Sequence, residues 1–248
     1  MTYCVGILLE QGLVLASDTR TNAGVDHVAV APKMHVFEQT GERVIVLLTA
    51  GNLAITQSVV NVLREQLNPP KKSVKKTPHL HRATSMFEAA NIVGAAMREV
   101  YQREGDVLKD HGIEFNASIL VAGQIKGEKP RLFNVYPAGN FIEATAETPY
   151  LQIGETKYGK PIIDRVVKYN TELMDAVKCV LISFDSTIRS NVSVAAPIDL
   201  MIYRVGSLHG NCRERITEQD PYYASVRKGW GEGLKTVFSS LPNPEWCL

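Results

Sequence analysis

The chain has 248 residues, 45% of them hydrophobic and 21% charged, with a formal net charge of +1. That is enough chain to bury a sizeable core, as one large domain or two small ones. The near-zero charge gives no argument for nucleic acid or an anionic membrane, and the longest apolar runs, such as VIVLLTAG, are far shorter than a bilayer span.

The chain opens with predicted strands. TYCVGILL and LVLASD are apolar and β-branched and are joined across EQG; MHVFEQ and RVIVLLTA follow, joined across TGE. Asn52 can cap a helix running through Gln66, with Leu53, Val59, Val60, Leu63 and Leu67 near one face. Ser85 and Glu88 form a capping box for a helix expected to end at Gly105. Between these helices lies NPPKKSVKKTPHLHR. Its adjacent prolines and four lysines predict a solvated loop, with a docking surface for a partner as the alternative.

Strands resume at NASILVAGQ, RLFNVYP and NFIEAT. A helical block from about Lys157 to Arg189, broken near Asn170–Thr171, comes next. PIDLMIYRV and Arg213–Ile216 read as late strands, Tyr222 to about Ser240 as a final helix, and LPNPEWCL as an irregular tail. Hairpin-linked strands imply antiparallel sheets, and helices grouped apart from strands imply α+β layering. No repeat or linker divides the chain, so a single domain over residues 1–248 is expected.

No P-loop, GxGxxG, HExxH or GxSxG motif is present, so a nucleotide or zinc enzyme is not expected and no cofactor is assigned. Cys4, Cys179, Cys212 and Cys247 are far apart, which fits free thiols of a reducing cytoplasm better than a disulfide frame or a zinc site. His79 and His81 read as part of a polar loop before they read as metal ligands. No Lys or Arg precedes VGILL, and Glu10 interrupts it, so a signal peptide is not expected.

Two residues near the start stand out: Thr2 directly follows Met1, and Asp18 ends the apolar run LVLAS. Thr2 reads either as a frayed strand end or, once Met1 is removed, as a nucleophile carrying its own base. An α-amine has a reference pKa of about 7.7–8.0 and can take the proton of the neighbouring hydroxyl. Asp18 and Lys33 read either as a solvated pair or as the support such a nucleophile needs. A buried lysine requires a partner, and a cation beside the amine lowers its pKa. A three-residue EQG loop would pair Cys4 with Asp18 and turn Asp18 to the Thr2 side, whereas a two-residue loop would turn it away. Gly51, at a strand end before a helix, permits the close backbone approach an oxyanion site needs.

Thr2, the DTRT that starts at Asp18, Lys33 and the AG of TAGN resemble, in order and spacing, the proteasome β-subunit family of N-terminal nucleophile hydrolases. TYCVGILLEQGLVLASDTRTNAGVDH, LLTAGNLA, IGETKYGKPIIDR and STIRSNVSVAAPIDLMIY extend the likeness over nearly the whole chain. They are similar to the bacterial ancestral β-subunit branch of that family. The resemblance implies an α+β fold, a four-layer αββα sandwich. It implies a threonine-type peptidase with Thr2 as nucleophile and base, Asp18 and Lys33 as the core of the site, and the Gly51 amide as oxyanion donor. By family position, Thr21, Ala31, Thr49 and Leu53 would line a smallish, mostly apolar substrate pocket. The implied partners are a peptide or unfolded-protein substrate and further copies of the chain in an open ring or helical array, in the cytoplasm.

Two departures from the family pattern stand beside the likeness. RSNVSV places Ser190 where the family carries an Asp and Ser193 where it carries a Ser. The usual Gly-Ser-Gly turn is replaced, with Glu155 and Thr156 near the serine position. Ser193 is therefore a candidate catalytic residue, Glu155 a candidate beside it, and Asp185 a substitute carboxylate. Two alternatives stay open: a weakly active or inactive assembly module, and a small-amide hydrolase of the same superfamily.

Overall fold

The computed structural model describes residues 1–22, 28–67 and 78–246. In chain order the elements are β1 (Tyr3–Leu9), β2 (Gly12–Asp18), β3 (Arg20–Asn22), β4 (Val28–Val30), β5 (Met34–Gln39), β6 (Arg43–Gly51), α1 (Leu53–Leu67) and α2 (Met86–Asp110). There follow β7 (Ala117–Ile125), β8 (Arg131–Val135), β9 (Phe141–Glu143), β10 (Tyr150–Gly154), α3 (Lys160–Val166), α4 (Leu173–Ser190), β11 (Ile198–Arg204), β12 (Arg213–Ile216) and α5 (Pro221–Ser240). The lysine-rich stretch at 68–77 and residues 247–248 lie outside the described residues.

Two five-stranded antiparallel sheets carry the fold, in the orders β10-β1-β2-β11-β12 and β5-β6-β7-β8-β9. Three apolar layers bind them to each other and to the helices. Tyr3, Val5, Ile7 and Leu9 of β1 pack against α3 and α4. Cys4, Leu8, Leu13 and Leu15 meet Val44, Val46, Leu48 and Leu120 between the sheets. Ile45, Leu47, Ile119 and Val121 pack against α1 and α2. The sheets are thus covered on both faces, which is why β1, β2 and β6 read as continuous apolar runs and not as alternating ones. Helices lie outside two stacked sheets, the α+β four-layer αββα order.

The caps form where the sequence places them. Asn52 Oδ1 accepts the Ala54 N–H at 3.0 Å, and Ser85 Oγ accepts the Glu88 N–H at 3.0 Å. Glu88 reaches back one residue further than a capping box requires, to the Thr84 N–H and hydroxyl, both at 2.6 Å. Helix α2 does not end at Gly105. It runs on to Asp110, where Gly112, at φ +68°, supplies the left-handed stop. Strands β3, β4 and β10 carry no strong local pattern and are not expected from sequence.

The β1–β2 register also differs from the expected one. Leu9 pairs with Gly12 and Cys4 with Ser17, so the hairpin turns on Glu10 and Gln11 alone. Gly12 belongs to the strand: its φ is +147°, and a Cβ there would lie 1.9 Å from the Tyr203 carbonyl oxygen of β11. Only glycine lets β2 and β11 approach this closely, and that long-range contact sets the loop length.

Candidate active site

Thr2 immediately precedes β1. Its carbonyl accepts the Glu155 N–H at 2.7 Å, which continues the β1–β10 ladder one step past the Tyr3–Gly154 pair. Gly154 makes this approach possible: its φ is +83°, and a Cβ would sit 2.0 Å from the Thr2 carbonyl oxygen. Thr2 is therefore held as part of the sheet and is only 8% exposed, while Met1 projects outward at 65%. The expectation of a frayed strand end is not met.

Strict alternation in the observed register would send Asp18 to the face opposite Thr2. The strand ends there, and the carboxylate turns to the β1 backbone instead: Oδ1 accepts the Tyr3 N–H at 3.0 Å. The same oxygen accepts from Lys33 Nζ at 2.7 Å, and Lys33 also donates to the Arg20 carbonyl at 2.7 Å. Both side chains are buried, at 5% and 0% exposure, so the pair is not a solvated one. The loop-length condition attached to Asp18 thus falls away: with a two-residue loop its carboxylate still meets the Tyr3 N–H and Lys33.

Burial pushes the Asp18 carboxyl above the usual carboxylate range. The Lys33 charge and hydrogen bond, the Tyr3 N–H and the chain's terminal ammonium all act in the opposite direction. At 2.7 Å from an ammonium group we take the pair as ionised. Lys33 also ties the two sheets: its carbonyl accepts the Thr49 N–H at 2.9 Å at the start of the β5–β6 ladder.

A cleft of about 730 Å³ opens over these groups. Thr2, Lys33 and Gly51 line it, as do Thr21, Thr49 and Leu53. Gly51 ends β6 at φ +110°, a conformation that favours glycine, with a Cβ position only 2.3 Å from the Asn116 carbonyl oxygen. Ala31 stands apart from the lining, buried with its N–H on the Thr19 carbonyl at 2.8 Å. Arg20, Asn52, Thr56, Asn116 and Ser118 add polar groups, so the cleft is much less apolar than expected.

Ser193 lies in the turn after α4, its N–H on Asn191 Oδ1 at 2.9 Å, and is not among the cleft-lining residues. Asp185 is engaged elsewhere: Arg189 Nε and, from α5, Arg227 Nε each donate to it at 2.8 Å. Glu155 meets Thr2 through its backbone N–H and Asn191 through its carboxylate; like Ser193, neither is among the cleft-lining residues. Asn191 Nδ2 donates to Glu155 Oε2 at 2.8 Å and lies 3.9 Å from the Met1 sulfur. Asn191 carries no signal of its own in the sequence; only the fold brings α4's end to the start of β1. Behind Thr2, the Tyr3 hydroxyl donates to Ser183 Oγ at 3.1 Å and accepts from Gln152 Nε2 at 2.6 Å, which fixes β1 against α4. Among the described residues no group of three or more His, Cys, Asp or Glu could hold a metal, and no helix is long and apolar enough to cross a membrane.

A buried Asp–Lys pair behind a strand-anchored Thr2, set in an αββα sandwich, is the arrangement of a proteasome-type subunit. The chain matches the proteasome subunit family over residues 2–202. Among solved structures it is similar to Anbu, the ancestral β-subunit, from Yersinia bercovieri, with 51% identity, TM-score 0.90, and 98% of this chain and 99% of that one covered. A Gly-1 mutant of Anbu from Hyphomicrobium sp. strain MC1 shares 46% identity over 99% and 100% of the two chains, at TM-score 0.91. The helical assembly of the Anbu complex from Pseudomonas aeruginosa contains a chain 44% identical, with 98% of each covered, at TM-score 0.91. No curated protein sequence matched. The chain belongs to the proteasome subunit family, in its Anbu, or ancestral β-subunit, branch.

Proposed function

We propose that the chain, once Met1 is removed, is a threonine-type hydrolase that cleaves peptide bonds within a homo-oligomer. The observation that carries this reading is the buried Lys33–Asp18 pair at 2.7 Å, beside a Thr2 held in the sheet at the cleft. The Thr2 hydroxyl oxygen attacks the peptide carbonyl while its proton passes to the free α-amine. The oxyanion formed faces Gly51 at the end of β6. The resulting ammonium returns the proton to the leaving amine as the C–N bond breaks, leaving an ester on Thr2. Water, deprotonated by the same amine, then hydrolyses the ester and restores the hydroxyl.

Lys33 contributes electrostatically. Its positive charge, fixed by Asp18, disfavours protonation of a neighbouring amine and so keeps the base available near neutral pH. The reading is tested with processed chain, verified by intact mass. Thr2→Ala should abolish peptide turnover and labelling by an electrophile that needs hydroxyl and amine together. Equal turnover in that variant would overturn it.

A second reading, an assembly module with little or no proteolysis, is favoured by two observations: Asp185 is spent on Arg189 and Arg227, and Ser193 lies outside the cleft lining. Robust cleavage of a broad peptide library by the processed chain would exclude it. Self-assembly belongs to both readings; the helical assembly of the Pseudomonas aeruginosa relative supports it.

A further inference from the structure

Strand β6 has Gly51 of the cleft at one end and Arg43 at the other. Arg43 is fixed in place. Its Nη1 donates to the Ala83 carbonyl at 2.7 Å and to the Leu80 carbonyl at 3.3 Å, which sets the guanidinium against a single 3-10 turn, Leu80–Arg82. Leu80 is fully buried and holds that turn to the body of the protein. His79 and His81 flank Leu80, both half-buried, with ring centroids 6.5 Å apart, and the exposed Arg82 ends the turn. Two guanidinium groups and two imidazoles are thus gathered around three residues of backbone.

No acid answers them. Among the described residues, none of Arg43, His79, His81 and Arg82 is in an ion pair. Glu88 is spent on the Thr84 N–H and hydroxyl, and Glu128 on the Met86 N–H. The neighbouring sequence supplies none either: residues 68–87 hold four lysines, one arginine and two histidines, and no Asp or Glu. Burial, then the Arg82 and Arg43 charges, hold His79 below the ordinary histidine value; burial, then His79 and Arg43, do the same for His81. Every charge acting on the two rings is therefore positive. Arg43 Nε and His79 Nδ1 are also buried without a hydrogen-bond partner among the described residues. Like charges held together without a counter-charge cost free energy. The same charges disfavour a metal ion at the two histidines, because both guanidinium groups repel a cation.

We propose that His79, His81 and Arg82, backed by Arg43, form a binding site for a compact, multiply charged oxyanion of the phosphate class. A guanidinium fork matches the oxygens of a phosphate group, and an imidazole gains a second N–H donor when an anion favours its protonated form. The donors sit within one turn and do not extend along a strand or a helix face, which suits one small anion better than an acidic peptide. The site lies at the far end of β6 from the cleft and depends on neither Thr2 nor the removal of Met1.

The test is a calorimetric titration of the full chain with inorganic pyrophosphate, at constant ionic strength and about pH 6.5, the ordinary histidine value. Saturable binding is expected. The ring-proton NMR signals of His79 and His81, assigned from His79→Gln and His81→Gln, should move in step with it. Arg82→Gln should weaken binding about tenfold, through loss of a charge-assisted hydrogen bond. Lys228→Gln, an exposed change on α5, should leave it unaltered. Absence of saturation overturns the proposal, as does equal binding by Arg82→Gln. Should that variant not fold, the same criterion applies to His81→Gln. Replacing Lys71, Lys72, Lys75 and Lys76 together by Gln separates the turn from the lysine run: loss of binding there, with Arg82→Gln unaffected, overturns the assignment. A hexaglutamate peptide that binds more tightly than pyrophosphate also overturns it, in favour of an acidic protein partner.

Discussion

Lys33 Nζ sits 2.7 Å from Asp18 Oδ1, with Asp18 fully buried and Lys33 only 5% exposed, at the cleft. Removing one partner of such a pair leaves a bare buried charge. Lys33→Met, which keeps the apolar stem, should destabilise the protein by about 3–5 kcal/mol at neutral pH. The sign with pH follows from Asp18. Without Lys33 its folded pKa is raised still further by burial. The penalty is full above that raised value and fades as pH falls toward the unfolded value of about 3.9. Urea unfolding at neutral and acid pH measures it; a deficit equal at both would contradict the account.

Gly12→Ala should cost several times more than a surface glycine change. A Cβ at Gly12 meets the Tyr203 carbonyl oxygen at 1.9 Å, whereas one at Gly41, at φ +80°, meets nothing within 4 Å. We expect about 3 kcal/mol or more for Gly12→Ala and about 1 kcal/mol for Gly41→Ala. Thermal unfolding of the two variants side by side reads the difference.

His35 supplies a slope at mildly acid pH. Burial, and then the Arg64 charge, push its pKa down to about 4. A histidine whose folded pKa is depressed contributes stability that is full above its unfolded value, about 6.5, and is lost as pH falls toward the folded one. After discounting for its partial exposure, the loss between these limits is about 1–2 kcal/mol. His35→Gln should flatten the stability curve over that window, as followed by urea midpoints.

Asp185→Asn separates a structural role from a catalytic one. Asp185 accepts from Arg189 of its own helix and Arg227 of α5, each at 2.8 Å. The variant should expose α5 to limited proteolysis while leaving electrophile labelling of Thr2 at the level of the unaltered chain. Loss of labelling with α5 still protected would return Asp185 to the site.

What the sequence revealed was local or charge-based. Continuous apolar runs such as VGILL and RVIVLL mark strands covered on both faces, and Asn52 and Ser85 cap the helices they announce. The buried Asp18–Lys33 pair was legible because two opposite charges interrupt apolar surroundings. The β1–β2 register was not, since EQG admits two loop lengths and the choice is made by Tyr203, far along the chain. Strand β10 is short, and its one fully buried side chain is Ile153, so its place beside β1 leaves little local trace. The α2 terminus was misplaced because Gly105 stays in the helix, with its missing side chain facing the Tyr101 ring. Asn191 is an ordinary helix-end residue until the fold brings Glu155 to it.

The anchoring of Thr2 has a thermodynamic consequence. Chain ends normally move freely, and a reacting group on one must lose that freedom in every encounter. Here the Thr2 carbonyl is bonded to the Glu155 N–H and the next N–H along to Asp18. The entropy of placing that hydroxyl is lost once, when the sheet forms, and not again at each encounter with a ligand. The Met1–Thr2 bond lies on the free side of both hydrogen bonds, so the processing we propose would expose an amine without unfastening the residue that bears it.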